Sequence, residues 1–417
     1  MERSTVIRAA NLCLSAAAAL CVASPLLAEG LRVRSEVGTS ITTADATSFD
    51  TLLGFQNMNN TTGGLRFMWD HAAGPVRFEF HASVGVLHGQ ALAYAAALAP
   101  SLPPTPPATL LNMTSTWMIN ADTAAIGTID RASVSYTTDN LVLKVGRQAI
   151  TWGSGTVFHP SDIVAPFSPS AIDTSYKPGV DMVYAQYLFD NGADLQAIAV
   201  PRALVTGGPV SFDASTYALL GSMTLGPLDG RLTLAKDRGD TVAGVGLSGP
   251  LGGASWNAEY VHWTLASGAT HPSWLFNISN FSSLGGLNIA YFAEYFHNGF
   301  GVDASVPFDA LPASLTKRMS TGQVFNAGPD FLALGAQVQM SENFSLMPSA
   351  VISLNDRSAI ASLGASLTLG DNTDLSFSYM QPIGADGTEF GGRETSAGSG
   401  VFIGPSKSVS LRLVHFF

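Results

Sequence analysis

The sequence has few of the features that stabilise or charge an ordinary soluble domain. Its 417 residues contain only two cysteines, Cys13 and Cys21. Charged residues make up 12% of the chain, against about 25% in a typical soluble domain. Beyond the N-terminus, no segment approaches the run of about 18 apolar residues that a membrane-spanning helix needs. This composition is unusual for a soluble domain and excludes a helical membrane span.

The N-terminus is organised like a secretory signal. Basic residues are followed by the short apolar run 9–22, and Ala28 is the expected last residue before cleavage. We therefore expect a signal peptide at residues 1–28 and a mature domain at residues 29–417, which contains no cysteine and so excludes thiol chemistry. Cleavage lowers the 20 basic and 31 acidic residues to 18 and 30, a net charge of −12. That charge disfavours a nucleic-acid partner.

Apolar and polar residues alternate along most of the mature sequence. Residues 75–88 give the clearest example, with Phe78 and Phe80 on one face and Arg77 and Glu79 on the other. Period two indicates a strand with one apolar face, and a low-charge chain of such strands is typical of a membrane barrel. The pattern predicts an all-β fold, a closed antiparallel transmembrane barrel of about 18 strands, with 16 as the alternative. Long breaks in the pattern fall at one end of this barrel and short turns at the other.

The two faces of the strands predict two surfaces. Phe78, Phe80, Leu143, Leu411 and Leu413 represent the face expected to contact outer-membrane lipid. The polar face is expected to line a pore, and its charged members are Arg32, Arg34, Arg66, Arg77, Glu79, Lys144, Asp181, Glu259, Glu294 and Arg412. Closure of the barrel brings most of the basic residues onto one stretch of wall. They either pair locally with neighbouring acids or set up a field across the pore.

One break, residues 148–178, is too apolar for a loop in water. A loop of about 30 residues with its own apolar side chains needs a surface to pack against, and the barrel interior is the nearest. We expect this loop to fold inward and to narrow the lumen. The residues expected at the constriction are Trp152, Phe158, Asp162, Phe167 and Lys177.

Motifs in residues 146–181 carry a family resemblance. A strand ends in GRQ. It is followed by WG, PSD and a Pro–Phe pair, and the next strand begins with K-x-G-V-D. This order resembles porin-like outer-membrane barrels of Gram-negative bacteria, among them the alginate-export proteins and related uncharacterised families. The segment FAEYFHNGFG at residues 292–301 resembles a second piece of the same pattern. The resemblance implies a porin-like barrel of the outer membrane and leaves its substrate open, and the acidic balance disfavours a polyanionic substrate. Our leading hypothesis is a channel that passes small solutes by diffusion through the lumen narrowed by the loop at residues 148–178.

The C-terminal stretch 407–417 alternates and ends in Phe417. It resembles the assembly signal of bacterial outer-membrane barrels, although His415 stands where an aromatic residue is usual. The resemblance implies that the barrel-assembly machinery is a partner, recognising this last strand.

Three alternatives to a channel remain open. In the first, the lumen is closed and the protein binds or takes up apolar compounds. In the second, the barrel is an enzyme with a Ser–His pair such as Ser255 and His262. In the third, the fold is a soluble β-sandwich. A G-x-G-x-x-G match at residues 244–249 is not followed by a helix, so it does not indicate a nucleotide site. We expect no cofactor, no metal and no catalysis.

Overall fold

The computed structural model describes residues 30–101, 107–166 and 176–417. Its main sheet has 19 strands, of which 18 close into one antiparallel barrel. The strands are β1 (Leu31–Thr43), β2 (Asn57–Ala73), β3 (Val76–Gly89), β4 (Thr114–Ile119), β5 (Thr123–Thr137), β6 (Leu141–Gln148), β7 (Val180–Leu188), β8 (Asp194–Ala203), β9 (Val210–Leu225), β10 (Leu228–Asp237), β11 (Asp240–Leu251), β12 (Ala254–Thr264), β13 (Thr270–Leu284), β14 (Leu287–His297), β15 (Asp330–Ser341), β16 (Phe344–Ser353), β17 (Ala359–Thr368), β18 (Thr373–Ile383), β19 (Arg393–Glu394), β20 (Phe402–Ile403) and β21 (Lys407–Phe416). The closed barrel of about 18 strands is therefore confirmed.

The barrel closes between its first and last strands. β1 pairs with β2 on one side and with β21 on the other, and β21 also pairs with β18. In the closing register Thr39 lies opposite Leu411, and the N–H of Phe417 donates to the carbonyl of Val33 at 2.9 Å. Every long barrel strand thus has two neighbours, which satisfies the backbone hydrogen bonds that lipid cannot.

Short turns join the strands at the end of the barrel where β1 begins and β21 ends. Between β13 and β14, Leu284 pairs with Leu287 across Gly285 and Gly286, whose φ angles are 60° and 83°. Positive φ at both central residues is what a tight two-residue hairpin requires, and glycine supplies it without a steric penalty.

The long connections leave the opposite end, as the breaks in the sequence pattern predict. They span residues 44–56, 90–122, 149–179, 298–329 and 384–406. Short helices occur in three of them, at Phe49–Leu52, Ala91–Leu98 and Ala313–Ser320. Within the described ranges, no helix is long and apolar enough to cross a membrane.

One strand, β4, was not expected from the sequence. The pattern predicts a loop through residue 128, but β5 already begins at Thr123, and β4 pairs with its first half. The sequence of β4, TSTWMI, has no apolar–polar alternation, and all six of its residues are exposed. The signal that identifies the other strands is absent here for that reason.

The outward face of the barrel is apolar, as predicted. Phe78, Phe80, Leu143, Leu411 and Leu413 are all exposed, by 38 to 45%. The intervening residues point inward, which fixes the lumen side of each strand.

Candidate functional site

The loop after β6, residues 149–179 (loop A), lies inside the barrel along its described segments. The Trp152 indole N–H donates to Gln196 Oε1 on β8 at 3.0 Å. Farther along, the backbone N–H and the hydroxyl of Ser154 both donate to Glu259 on β12, the hydroxyl at 2.7 Å. These contacts run from one inward-facing wall residue to the next, so loop A follows the inner wall.

The tip of loop A is held by one carboxylate. Glu294 on β14 is fully buried and accepts hydrogen bonds from three consecutive backbone N–H groups. Those of Thr156, Val157 and Phe158 lie 2.5, 2.9 and 2.7 Å from its oxygens. Asn277 on β13 donates to the same carboxylate at 3.0 Å. Hydrogen bonds to an ionised acceptor are stronger than neutral ones, so this carboxylate fixes the tip.

Phe158 packs the tip against the wall. Its ring stacks on Phe296 at 4.6 Å between centroids and lies 5.7 Å from Phe331. Leu275 and Phe390 complete the same buried cluster. Phe158 therefore contacts the inner wall, and so does Trp152; that these residues constrict a pore stays a prediction.

A buried ion pair joins the end of loop A to its middle. Lys177 and Asp162 are both almost fully buried and lie in direct contact. The Lys177 ammonium also donates to the carbonyl of Ile150 at 2.5 Å and to the hydroxyl of Thr151 at 3.2 Å. Lys177 thus connects the start, the middle and the end of the loop. Phe167, the remaining residue expected at the constriction, lies outside the described residues.

Residues 298–329 (loop B) anchor to the wall through Arg318. Its side chain is 1% exposed and lies in direct contact with Asp240, 3.7 Å from Asp237, at the outer ends of β11 and β10. The guanidinium also lies 4.1 Å above the Trp263 ring. Burial of such a charge is stable only when it is paired.

Loop B also holds loop A. The Gln323 side-chain amide donates to the carbonyl of Ile163 at 2.8 Å and to Asp237 at 2.8 Å. Apolar residues of both loops form one cluster with the wall of β7 to β12. Its members include Trp152, Ile163, Val164, Val200, Val242, Val261, Trp263, Phe300, Leu311 and Leu315. This part of the lumen is filled by a hydrophobic core.

Residues 384–406 (loop C) are joined to loop B by Arg393. Its guanidinium donates to the carbonyls of Asp303 and Val306 at 2.6 and 2.8 Å and pairs with Glu389 at 3.0 Å. The other Glu389 oxygen accepts the N–H of Ala327 at 2.7 Å. Loops A, B and C therefore form one connected body inside the barrel mouth.

Loop C is also fixed to the turn between β16 and β17. Asp356 accepts hydrogen bonds from the hydroxyl of Ser358 at 2.7 Å and from the N–H of Glu389 at 2.6 Å. Burial alone raises the pKa of Asp356, but these hydrogen bonds outweigh it and hold the pKa below its ordinary value. The ionised carboxylate is the form that binds loop C.

Each basic residue of the expected wall lies beside an acid. The pairs are Arg32–Asp70 at 2.7 Å, Arg77–Asp70 at 3.2 Å, Arg66–Asp130 at 2.7 Å, Lys144–Glu79 at 2.6 Å, Arg34–Glu36 at 3.1 Å and Arg412–Glu36 at 3.8 Å. This arrangement corresponds to local pairing, the first of the two alternatives. The ring of Tyr176 from loop A lies 4.2 Å from the Arg66 guanidinium, a contact that the sequence did not indicate.

The acids Asp181, Glu259 and Glu294 face inward, but each is in contact with other protein groups and not with an open lumen. Asp181 pairs with Arg147 at 2.9 Å and accepts the N–H of Leu111 at 2.8 Å. Glu259 and Glu294 are covered by loop A, as described above. Asp181 is thus neutralised by Arg147. Glu259 and Glu294, in contrast, keep their charge and serve as anchors for loop A.

Two adjoining cavities lie in the lumen beside these loops. The first, about 710 Å³, lies between loops B and C and the inner face of β16, β17, β18 and β21. The second, about 630 Å³, borders β12 to β16. Both contact Met347 and Ser349, and the tip of loop A stands between them, with Val157 on the first and Thr156 on the second. Loop A therefore borders the junction of the two cavities.

Solved structures share this architecture at low sequence identity. Wzi of Escherichia coli, described as an outer-membrane protein of group 1 capsule assembly and a carbohydrate-binding β-barrel, is 10% identical with a TM-score of 0.53 over 93% of this chain and 84% of its own. OccK5 (OpdH) of Pseudomonas aeruginosa is 11% identical, with a TM-score of 0.53 over 93% and 98%. OccAB4 of Acinetobacter baumannii is 9% identical, with a TM-score of 0.51 over 93% and 98%.

No family model matches the sequence, and no curated protein matches it. At identities this low, the likeness establishes the fold. The closed barrel, its apolar outer face and this shared architecture define a porin-like β-barrel of the outer membrane. The narrower resemblance to alginate-export proteins stays a prediction.

Proposed function

We propose that the protein is an outer-membrane channel that passes small solutes by diffusion through a lumen narrowed by loop A. The observation that best supports this proposal is the position of the tip of loop A. Glu294 holds Thr156, Val157 and Phe158 against one wall, and the two adjoining cavities lie beside that tip. A fixed obstruction beside open space in the lumen is the arrangement expected of a constricted pore.

The second candidate is a barrel with a closed lumen that binds its ligand. The core formed by loops A and B and the cross-links made by Arg393 favour it. Wzi, which shares the fold, is described as a carbohydrate-binding β-barrel, and that is a function of the same kind. In that case the cavity of about 710 Å³ would be the binding pocket.

Recordings in planar lipid bilayers separate the two candidates. Steady open currents from the purified protein are expected of a channel, whereas a barrel that inserts without conducting is closed. Deleting residues 153–175 removes the tip of loop A, so we expect the deletion variant to conduct more than the parent. Migration that changes on heating in a detergent gel serves as the control for a folded barrel. Equal conductance of two folded proteins would show that loop A does not limit the pore.

The same proposal includes the partners that the sequence implies. The apolar outer face provides the surface for membrane lipid, and the last strand, ending at Phe417, is the segment that we expect the barrel-assembly machinery to recognise. The pairing of β21 with both β1 and β18 supports this, because the barrel cannot close before that strand is in place.

A further inference from the structure

The inner faces of β16, β17, β18 and β21 carry a field of hydroxyl groups. Where these strands border the first cavity, serine occurs at six lining positions: Ser349, Ser362, Ser366, Ser376, Ser378 and Ser408. Ser376 donates to the carbonyl of Arg412 at 3.4 Å. Within the described part of the chain, the hydroxyls of the other five make no hydrogen bond to a protein group. These hydroxyls can therefore form hydrogen bonds with water or a solute in the lumen.

Charge is nearly absent from the same surface. Among the described residues that line the second cavity, none is charged, and its polar members include Ser255, Ser279 and Gln337. The first cavity is bordered by Glu389, Arg393 and Arg412. Glu389 and Arg393 neutralise each other at 3.0 Å, and Arg412 lies 3.8 Å from Glu36. The remaining polar groups of both cavities are hydroxyls and amides.

Apolar side chains accompany the hydroxyls. Met347, Val351, Ile360, Met380 and Phe390 line the first cavity, and Phe292 lines the second. A surface of this kind can contact the C–H groups of a solute while serines exchange hydrogen bonds with its hydroxyls. An ion gains no counter-charge here and loses part of its hydration, which raises its energy in a narrow space.

We infer that the lumen is selective for uncharged, hydroxyl-bearing solutes over ions of the same size. This inference rests on the proposed channel function and adds the class of its substrate. Of the paired charges on the basic wall, Arg412 borders the first cavity and lies beside Glu36 of β1, while those of β2 to β6 belong to strands that line neither cavity. The paired charges therefore do not restore a preference for ions.

Swelling of phosphatidylcholine liposomes that contain the purified protein tests the inference. The probes are mannitol, gluconate and glucosamine, which have similar sizes and carry no charge, a negative charge and a positive charge. Mannitol is expected to enter fastest. Entry of either charged probe at a rate equal to or above that of mannitol overturns the inference, while the channel function still stands. If the protein neither admits a probe nor conducts, the channel itself is overturned and the inference with it.

Two variants test the role of the serines. Replacing Ser362 and Ser378 together with alanine removes two hydroxyls without adding bulk, and mannitol entry is expected to fall roughly fivefold while potassium chloride conductance is unchanged. Ser135→Ala is the matched control, because Ser135 faces inward on β5 outside both cavities. Ser362→Asp is expected to shift the reversal potential in a salt gradient toward cation selectivity. Unchanged mannitol entry in the double variant, or an unchanged reversal potential in a folded Ser362→Asp barrel, places the route elsewhere.

Discussion

At the scale of single residues, the lumen is organised by buried charges whose partners are remote in sequence. Glu294 binds three successive N–H groups of residues more than a hundred positions earlier. A carboxylate accepts several such bonds because its two oxygens carry the negative charge, whereas an amide of the same shape offers one acceptor and two donors. The alternation in β14 predicted that Glu294 faces inward. It could not predict the partner, because nothing in loop A marks which backbone groups are left without acceptors.

Glu294→Gln tests this anchor. The amide presents a donor to N–H groups that need an acceptor, so the tip of loop A is expected to lose about 2 kcal/mol or more of its attachment. Single-channel recordings are expected to show larger and noisier openings than the parent. Glu342→Gln is the matched control, since it makes the same chemical change at an exposed residue of the turn between β15 and β16. Identical traces for both variants would mean that the carboxylate does not hold the tip.

At the scale of elements, the sequence predicts what depends on local alternation. Strands such as β3 and β21 are evident because apolar residues meet lipid at every second position. The inward course of loop A was also predictable from its apolar residues. The ties between loops were not, because Arg318 and Arg393 lie in segments without periodicity and their partners are placed by the folded barrel alone. β4 was missed for the related reason that all of its residues are exposed.

The last strand provides a test of the outward face. Leu411 is 45% exposed on β21, so we expect Leu411→Val to be tolerated. Leu411→Arg places a charge in lipid at a cost of about 2–4 kcal/mol near the bilayer midplane. The yield of heat-modifiable barrel in the outer membrane is the measurement, and Ser410→Arg, one residue along and facing the lumen, is the control. Comparable yields for Leu411→Arg and Leu411→Val would mean that the faces are reversed.

At the scale of the whole molecule, the barrel is asymmetric. Loops A and B pack against the wall from β7 to β12, and the cavities lie against the strands that follow. Arg393 has a central position in this arrangement, because it joins loop C to loop B through carbonyl groups and through Glu389. The mouth of the barrel therefore behaves as one body rather than as separate loops.

Arg393→Met tests whether that body depends on its cross-links. Removing one partner of a buried pair costs about 3–5 kcal/mol, and here Glu389 is left buried beside an apolar chain. Loops B and C are expected to become sensitive to protease added outside intact cells, while the barrel keeps its heat-modifiable migration. Arg357→Met, at an exposed turn of the same rim, is expected to remain resistant. Resistance of both variants would show that the loops are held by their apolar contacts alone.

The asymmetry also has an order in time. Loop A and its anchors on β8, β12 and β14 precede residue 344, whereas the serine-bearing strands follow it. A ribosome therefore completes loop A and its wall anchors before it makes the strands that border the first cavity. A chain interrupted between these two stages lacks β21, so β1 has no partner on one side and the sheet stays open.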